Sequence, residues 1–554
     1  MKSVPLMLAM LSLSAFIACS KQNIEKPRDA MLVPFPDYAG KIKFQVLKNA
    51  GDKATAQSSY RMVGVGDGIG DYLDGDKVIV VMNHELNSFE GSKDARKRHQ
   101  TGAFVSKWTL NKNTHAVING QDLSGEINFY DKNMPAQGDM DGYDVKDQAL
   151  TSLCSGDMPA QSALMYRENG NLFGTQDKLF FSGEETNTGK LPPENRQGLA
   201  FAHVVSGQYA GKSYELPAFG RMAFENILLN PFSQQKTIAM LMDDASNKTY
   251  TKAWSELTDD DKISIKVRPP SELYVYIGEK EPASEHPIAA AGLMGGTVYA
   301  VRVFDADCPA DDDNAAALSQ KNNCLDTPNG ENRQVWLQGD KPAEFELRKV
   351  PVPTGDVDGS EFQLAAYKQG ATQFLRLEDG AWDPRSGHEN QFYFITTDKI
   401  GGNSRLYKLT FEDIKQPEDG GSISIVINGN PQYSKRKDQK AMVMMDNLTI
   451  DPWGRILIQE DPGNDQRLAR IWLYDIDRDD IKEIAQANPR YFQKSQNNAA
   501  DFITLNEEST GVVQAFDTLG EGWYLLNMQV HTKHPDSEIV EQGQFMAMYV
   551  PRDI

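Results

Sequence analysis

Apolar residues along this chain fall in short runs bounded by turn formers, and the runs have a recurring end. KVIVVMNHE (77–85), KLFFSGEE (178–185), TIAMLMDD (237–244), FYFITTD (392–398) and RILIQED (455–461) are each rich in β-branched and aromatic residues and close on acids. Such runs, four to eight residues long and flanked by Gly, Pro, Asn and Asp, predict β-strands. Most are followed by a loop and a second strand, such as GAFVSKWTL, GGTVYAVRV, SRLYKLTF, ARIWLYDI and QFMAMYV, the last paired with GWYLLNMQV. Long helical periodicity is missing almost everywhere.

A second pattern precedes these strands. Glu225-Asn226 leads over six residues to Pro231 in FENILLNP, Glu378-Asp379 over six to Pro384 in LEDGAWDP, and Asp446-Asn447 over six to Pro452 in MDNLTIDP. Glu508 in EESTGVVQ keeps the acid without the turn, and in LCSGDMPA Cys154 stands at the acid's place. An acid, a short apolar run and an Asx-Pro turn, with anchors about 60–70 residues apart except for a long gap between Glu225 and Glu378, predict an all-β fold: a single β-propeller of six blades, with seven the alternative, and loop insertions. In such a fold each innermost strand starts near the axis, the turn reverses it, and equivalent residues converge on one end of a central channel. The propeller is expected over 36–554, with insertions at about 245–270 and 305–340. GVGDGIGD (64–71) reads as a flexible loop, because no strand–helix context surrounds its glycines.

The N-terminus changes the compartment. Lys2, an apolar run over 4–17 and Ala18-Cys19 fit a secretory signal over 1–18, since a membrane span needs roughly 20 apolar residues. Ala18-Cys19 is similar to a bacterial lipobox, which makes Cys19 the lipidation site, with a polar tether over 19–35; an ordinary cleaved signal is the alternative. The expectation is an exported lipoprotein of the outer membrane, a monomer that touches the membrane only through its lipid. A net charge of −21 argues against nucleic-acid binding and suits a chain that collects hard cations. Of four cysteines, Cys308 and Cys324 flank an acidic loop and are expected to pair in an oxidising compartment. Cys154 is left alone, as buried packing or as a functional thiolate.

The converging acids carry the candidate chemistry. One acid after one strand is usually a turn residue. Glu85, Glu184, Glu185, Glu225, Asp244, Glu378, Asp379, Asp446, Glu460 and Asp461 together would crowd one pocket with like charge, which cations must compensate. Carboxylate oxygens suit Ca2+, and a thiolate among carboxylates suits a transition ion such as iron, so Cys154 turns an acidic ring into a mixed cluster. Arg221 and Arg376 either neutralise these acids or grip an anionic substrate beside the metals. His84 packs or donates a hydrogen bond, and His203, His286, His388, His531 and His534 show no metal spacing. GxSxG, HExxH and P-loop motifs are absent from the sequence.

VVMNHE, LCSG, FSGEE, GRMAFE, the DD after TIAMLM, RLEDGAWDP and DNLTIDPWGRILIQED resemble motifs of the PhoX-type bacterial alkaline phosphatases, from about residue 77 to 465. The resemblance implies a β-propeller holding iron and calcium (Fe3+ and Ca2+) and acting on small phosphate monoesters. It matches Cys154, Glu225 and Glu378 to iron ligands, and Glu85, Glu184, Glu185, Asp244, Asp446 and Glu460 to calcium-binding or supporting positions. Arg376 resembles a phosphate-contacting arginine. The chain departs from the family in DMPAQSALMYRENGNLFGTQD, which replaces a Thr-Pro-Trp-Gly-Thr stretch, and its export signal lacks an arginine pair. It reads as a divergent member. A calcium-dependent propeller hydrolase (a phytase-like phosphatase or a lactonase) and a non-catalytic calcium-stabilised binding lipoprotein are the alternatives.

Overall fold

The computed structural model describes residues 29–131, 140–186, 198–244, 271–283, 285–304, 342–352, 359–495 and 498–554. The signal at 1–18, Cys19, the insertions at 245–270 and 305–340, and Cys308 and Cys324 lie outside the described residues. Six strands run innermost: β1 (Gly66–Asp74), β2 (Leu153–Asp157), β3 (Phe224–Leu229), β4 (Leu377–Trp382), β5 (Met445–Ile450) and β6 (Glu507–Gln514). Each lies at the edge of its sheet and packs against the next, and β6 returns to β1, so the six close a ring. The fold is a β-propeller.

Antiparallel strands step outward from each. From β1 they are Lys77–His84, Phe104–Asn111 and Val117–Asp122, and from β5 Arg455–Glu460, Arg470–Asp475 and Asp480–Ala487. From β3 they run through Lys236–Asp243, Ser271–Glu279 and Thr297–Val303 to Ala343–Lys349, which also pairs with Gly421–Asn428, the outermost partner of β4's sheet. Beyond β6 lie Trp523–Lys533 and Glu541–Tyr549, and the last pairs with Lys43–Asn49 from the other end of the chain. This joint of N- and C-terminal strands closes the ring and removes a free sheet edge. A further strand, Leu32–Pro34, pairs with Asp480–Ala487, and Met31 and Leu32 are buried. The tether expected over 19–35 therefore ends earlier, because its one apolar patch finds a sheet to cover it.

The acid-ended runs are the second strands. In Lys236–Asp243 every residue after Lys236 is buried, and Lys77–His84 is buried after Lys77. Neighbouring sheets cover both faces, so these strands read as continuous apolar runs rather than alternating ones. The Asx-Pro turns work through side chains: Asn230 Oδ1 accepts from Phe232 N at 3.2 Å, Asp383 Oδ1 from Arg385 N at 3.0 Å, and Asp451 Oδ1 from Trp453 N at 2.8 Å. The proline between sets φ while the Asx oxygen bridges two residues ahead.

Every innermost strand carries a bulge, two residues facing one on its partner. The two are Asp67-Gly68 in β1, Cys154-Ser155 in β2, Glu225-Asn226 in β3, Glu378-Asp379 in β4, Asp446-Asn447 in β5 and Gly511-Val512 in β6. The repeated acid-Asx pair is thus the bulge itself. GVGDGIGD is strand, not loop, because its glycines serve close backbone approach at the axis. A Cβ on Gly68 would lie 2.0 Å from Gly156 N and 2.5 Å from Ser155 C. Gly68→Ala is therefore expected to destabilise the protein by at least about 1–3 kcal/mol, read by chemical denaturation, since backbone rather than a flexible side chain must give way.

Candidate metal centre

One backbone hydrogen bond recurs six times around the axis and sets two addresses for side chains. The N–H of Glu85 donates to Val65 O (2.9 Å), Glu185 to Ser152 O (2.8 Å), Asp244 to Ala223 O (2.9 Å), Thr397 to Arg376 O (3.0 Å), Asp461 to Met444 O (3.0 Å) and His531 to Asn506 O (3.0 Å). Two residues beyond each accepting carbonyl stand Asp67, Cys154, Glu225, Glu378, Asp446 and Glu508. At four of the six accepting positions, Val65, Ser152, Arg376 and Met444, φ is positive, a conformation that non-glycine residues rarely adopt and that concentrates at functional sites.

The two sets meet around Cys154. Ligand atoms of Asp67, Glu85 and Cys154 all lie within 4.8 Å of one another, and so do those of Cys154, Glu185 and Glu225. Cys154 Sγ is 3.7 Å from Asp67 Oδ2. Neutral groups hold the acids. Ser155 Oγ donates to Glu225 Oε1 at 2.6 Å, and Gln529 Nε2 donates to Asp67 Oδ2 at 2.8 Å and Glu85 Oε2 at 3.4 Å. Glu225 Oε2 and Asp67 Oδ1 are buried with no hydrogen-bond partner among the described residues. Burial and neighbouring acids push these groups towards their neutral forms: Asp67 to about 6 and Glu85 to about 7, and Glu185, Glu225, Glu378, Asp446 and Glu508 well above the usual carboxylate range. Burial, then Asp67, raises the Cys154 thiol likewise. A buried oxygen without a donor, beside a thiol and more carboxylates, is the arrangement that a cation completes.

Two positive groups border the cluster. Arg376 grips Asp244 through Nε (3.0 Å) and Nη2 (2.6 Å), and Nη2 also lies 3.2 Å from Glu378 Oε1. Its Nη1 makes no hydrogen bond among the described residues, and the side chain is 36% exposed, so one edge of the fork is open. Opposing acids hold its charge, Asp244 first. Burial works against a charge on His531, but Glu508 at 3.5 Å and Glu541 at 2.8 Å outweigh it and lift the imidazole to about 11.

Not every expected acid joins. Glu184 and Glu460 sit one residue before their address, and strand alternation turns them away. Glu184 Oε1 accepts from Thr151 N, while Glu460 takes both arms of Arg467, Trp472 Nε1 and Val443 N. Asp379, second in its bulge, accepts from Asn226 Nδ2, Gly380 N and Leu448 N. Asp461 holds the right address and also accepts from Gly463 N. Arg221 pairs with Glu215 at 3.4 Å, outside the cluster. Asp67, His531, Ser155, Asn447 and Gln529 were not expected from the sequence. Counting two residues on from Val65, as from Ser152 or Met444, would have found Asp67. Behind the bulges is a second cavity of about 190 Å3, lined by Gly68, Ser155, Asn226, Asp379, Asn447 and Gly511.

A closed ring of innermost strands with a buried thiol–carboxylate cluster on its axis defines a propeller with a candidate cation-dependent centre. The model of the alkaline phosphatase PhoX family matches residues 214–510, and the chain belongs to that family. Its fold is similar to that of Pseudomonas fluorescens PhoX, solved in complex with vanadate, a transition state analogue: 11% identity, TM-score 0.54, covering 92% of this chain and 95% of that one. A GH43 β-1,3-galactosidase with galactodeoxynojirimycin (9% identity, TM-score 0.31, 87% and 90% covered) and the β-propeller domain of the trilobed protease from Pyrococcus furiosus (7%, 0.29, 87% and 93%) also match. No curated protein matches the chain by sequence.

The raised acids make the metal-free stability depend on pH. Asp67 rises from 3.8 to about 6 and Glu85 from 4.5 to about 7, so the folded chain binds more protons than the unfolded one between those values. Their contribution is full below the unfolded values and is lost as pH rises through the folded ones. Melting temperatures of protein stripped by a chelator are expected to fall from about pH 4 to pH 7, and added cation is expected to flatten the trend.

Proposed function

We propose that this chain is a metal-dependent phosphatase hydrolysing phosphate monoesters at a mixed iron and calcium centre on the axis of a six-bladed propeller. The observation that carries the reading is Cys154 among the carboxylates of Asp67, Glu85, Glu185 and Glu225, two of which, Asp67 and Glu225, keep a buried oxygen (Oδ1 and Oε2) with no hydrogen-bond partner among the described residues. Family membership supports the chemistry. Cys154, Glu225 and Glu378 are the residues proposed for iron, since a thiolate favours a transition ion, and Glu85, Glu185, Asp67 and Asp446 offer oxygens that suit calcium. What bound cations supply in such a site is charge neutralisation at phosphoryl oxygens and an activated water.

The chain's own groups bind and orient. Asp244 holds Arg376 by two parallel bonds, so the guanidinium meets an incoming phosphoryl group with little freedom left to lose. Glu378 on the same Nη2 fixes the fork from the ring side. His531 lies 3.5 Å from Glu508 at the margin of the cluster and partly offsets the burial that pushes this carboxyl up. An exported lipoprotein anchored through Cys19, with Cys308 and Cys324 paired, remains the proposed setting, and no helix of the described residues is long and apolar enough to cross a membrane.

Purified protein is expected to release phosphate from a chromogenic phosphate ester, to lose that activity with EDTA, and to regain it with Ca2+ and iron together. Activity surviving in a Cys154→Ser, Glu225→Gln double variant would sink the cluster reading. Restoration by calcium alone would point to a calcium-dependent hydrolase, and calcium-raised melting without turnover to a binding scaffold. Arg376→Ala is expected to lower kcat/KM by about 100-fold while leaving the metal content unchanged, measured by elemental analysis.

A further inference from the structure

Ser155 lies behind Glu225, on the cavity side of the bulges, and is tied across the axis. Asn447 Nδ2 of β5 donates to Ser155 Oγ at 2.8 Å. Asn447 is itself oriented by β6, because its Oδ1 accepts from Thr510 Oγ1 at 2.6 Å and Gly511 N at 2.9 Å. Asn447 Nδ2 can only donate and a carboxylate can only accept, so the Ser155 hydroxyl hydrogen is directed towards Glu225 Oε1 at 2.6 Å. Asn83 Nδ2 fixes the backbone beneath by donating to Cys154 O (2.9 Å) and Ser155 O (3.0 Å). Ser155, Asn447, Thr510 and Asn83 are all buried.

We infer that Ser155, oriented by Asn447 and Thr510, is a positioning residue that fixes the Glu225 carboxylate so that Oε2 alone faces a cation at Cys154. All the donors in the relay are neutral, so they orient the carboxylate without cancelling the charge it offers once its proton gives way to a cation. Glu460 shows the contrast, because Arg467 both orients and neutralises it. The polarity of the relay is set by amide and hydroxyl geometry: Asn447 must point Nδ2 at Ser155, since its Oδ1 is taken by two donors from β6. Second-layer hydrogen bonds of this type typically contribute about 10–100-fold to metal affinity. The inference rests on reading Cys154 and Glu225 as a metal site and is independent of whether the site turns over a phosphate ester.

The test is a Co2+ titration of chelator-stripped full-length protein, followed by the thiolate-to-metal charge-transfer absorption of Cys154, on wild type, Ser155→Ala, Thr510→Val and Thr510→Ser. Ser155→Ala is expected to bind Co2+ about 10–100-fold more weakly, Thr510→Val to weaken it less, and Thr510→Ser, which keeps the hydroxyl, to stay near wild type. Melting of the stripped proteins is recorded in parallel. Ser155→Ala and Thr510→Val that melt lower yet bind as tightly as wild type overturn the relay and leave Ser155 a structural residue. If Ser155→Ala does not fold, the contrast between Thr510→Val and Thr510→Ser decides alone, and equal affinities overturn it. Wild type that binds Co2+ through Cys154 but hydrolyses no ester defeats the phosphatase and leaves the relay standing. Wild type that takes up no Co2+ defeats both.

Discussion

The backbone hydrogen bond at the head of each innermost strand is the constraint on which the rest of the centre depends. In β1 to β5 it comes from the residue just after the second strand and sits beside the bulge, and in β6 it comes from His531 within Trp523–Lys533. In all six it fixes where two side chains per strand pair must lie. Backbone geometry, not attraction between side chains, therefore brings Asp67, Glu225, Glu378, Asp446 and Glu508 together with Cys154. Burial first, and mutual repulsion after it, push these acids towards their neutral forms and oppose the arrangement. Hydrophobic packing of the sheets has to outweigh that repulsion. The second strands are covered on both faces, and burial of their Val, Ile, Leu and Met side chains at roughly 1.5–3 kcal/mol each is the term large enough to do so. Core and centre are coupled through the same strands: each second strand is both largely buried and the carrier of one address at the axis.

The all-β architecture was legible because second strands are continuous apolar runs, and the innermost strands because three of them share the acid, apolar run and Asx-Pro spacing. Asp67 was not, because Gly64, Gly66, Gly68 and Gly70 around it mimic a loop in composition while serving close packing at the axis. Glu184 and Glu460 were expected among the ligands because adjacent acids cannot be told apart without the register. The structure supplies it, and Glu185 and Asp461 prove to hold the address. His531 was hidden for another reason. It occupies the position of an acid, and only the sixfold backbone bond reveals the equivalence, whereas metal spacing along the chain does not. The cross-axis contact between Ser155 and Asn447 joins residues 292 apart in sequence and leaves no local trace.

Partners sort the acids into two kinds. Glu460, Asp379 and Asp383 accept several bonds from the chain itself; Asp383 is held by Arg385 and Glu460 by Arg467. Such carboxylates are satisfied, and a cation would have to displace existing donors to reach them. Asp67 and Glu225 are held on one oxygen by Gln529 and Ser155 and left open on the other. A buried carboxylate in that state is expensive, because burial favours the neutral acid while the geometry presents a bare oxygen. The cost makes sense if a cation is the missing partner, and it makes the neutral donors a necessity, since an arginine in their place would cancel the charge.

The same bulge also divides the axis. In β1 to β5 its first residue is the acid or thiol of the cluster and its second lines the cavity behind, where Gly68, Ser155, Asn226, Asp379 and Asn447 are joined by both bulge residues of β6, Gly511 and Val512. Two residues opposing one allow both to point inward at neighbouring heights, which a regular strand forbids because consecutive side chains alternate faces. The second residues then bond to one another, Asn226 to Asp379 and Asn447 to Ser155, and form a hydrogen-bonded floor under the centre. That floor lines the rear cavity, and Asp67 and Glu225 beside it are buried. Electrostatic interactions of buried groups are correspondingly strong, so the open oxygens of Asp67 and Glu225 pull on a cation more than exposed carboxylates would.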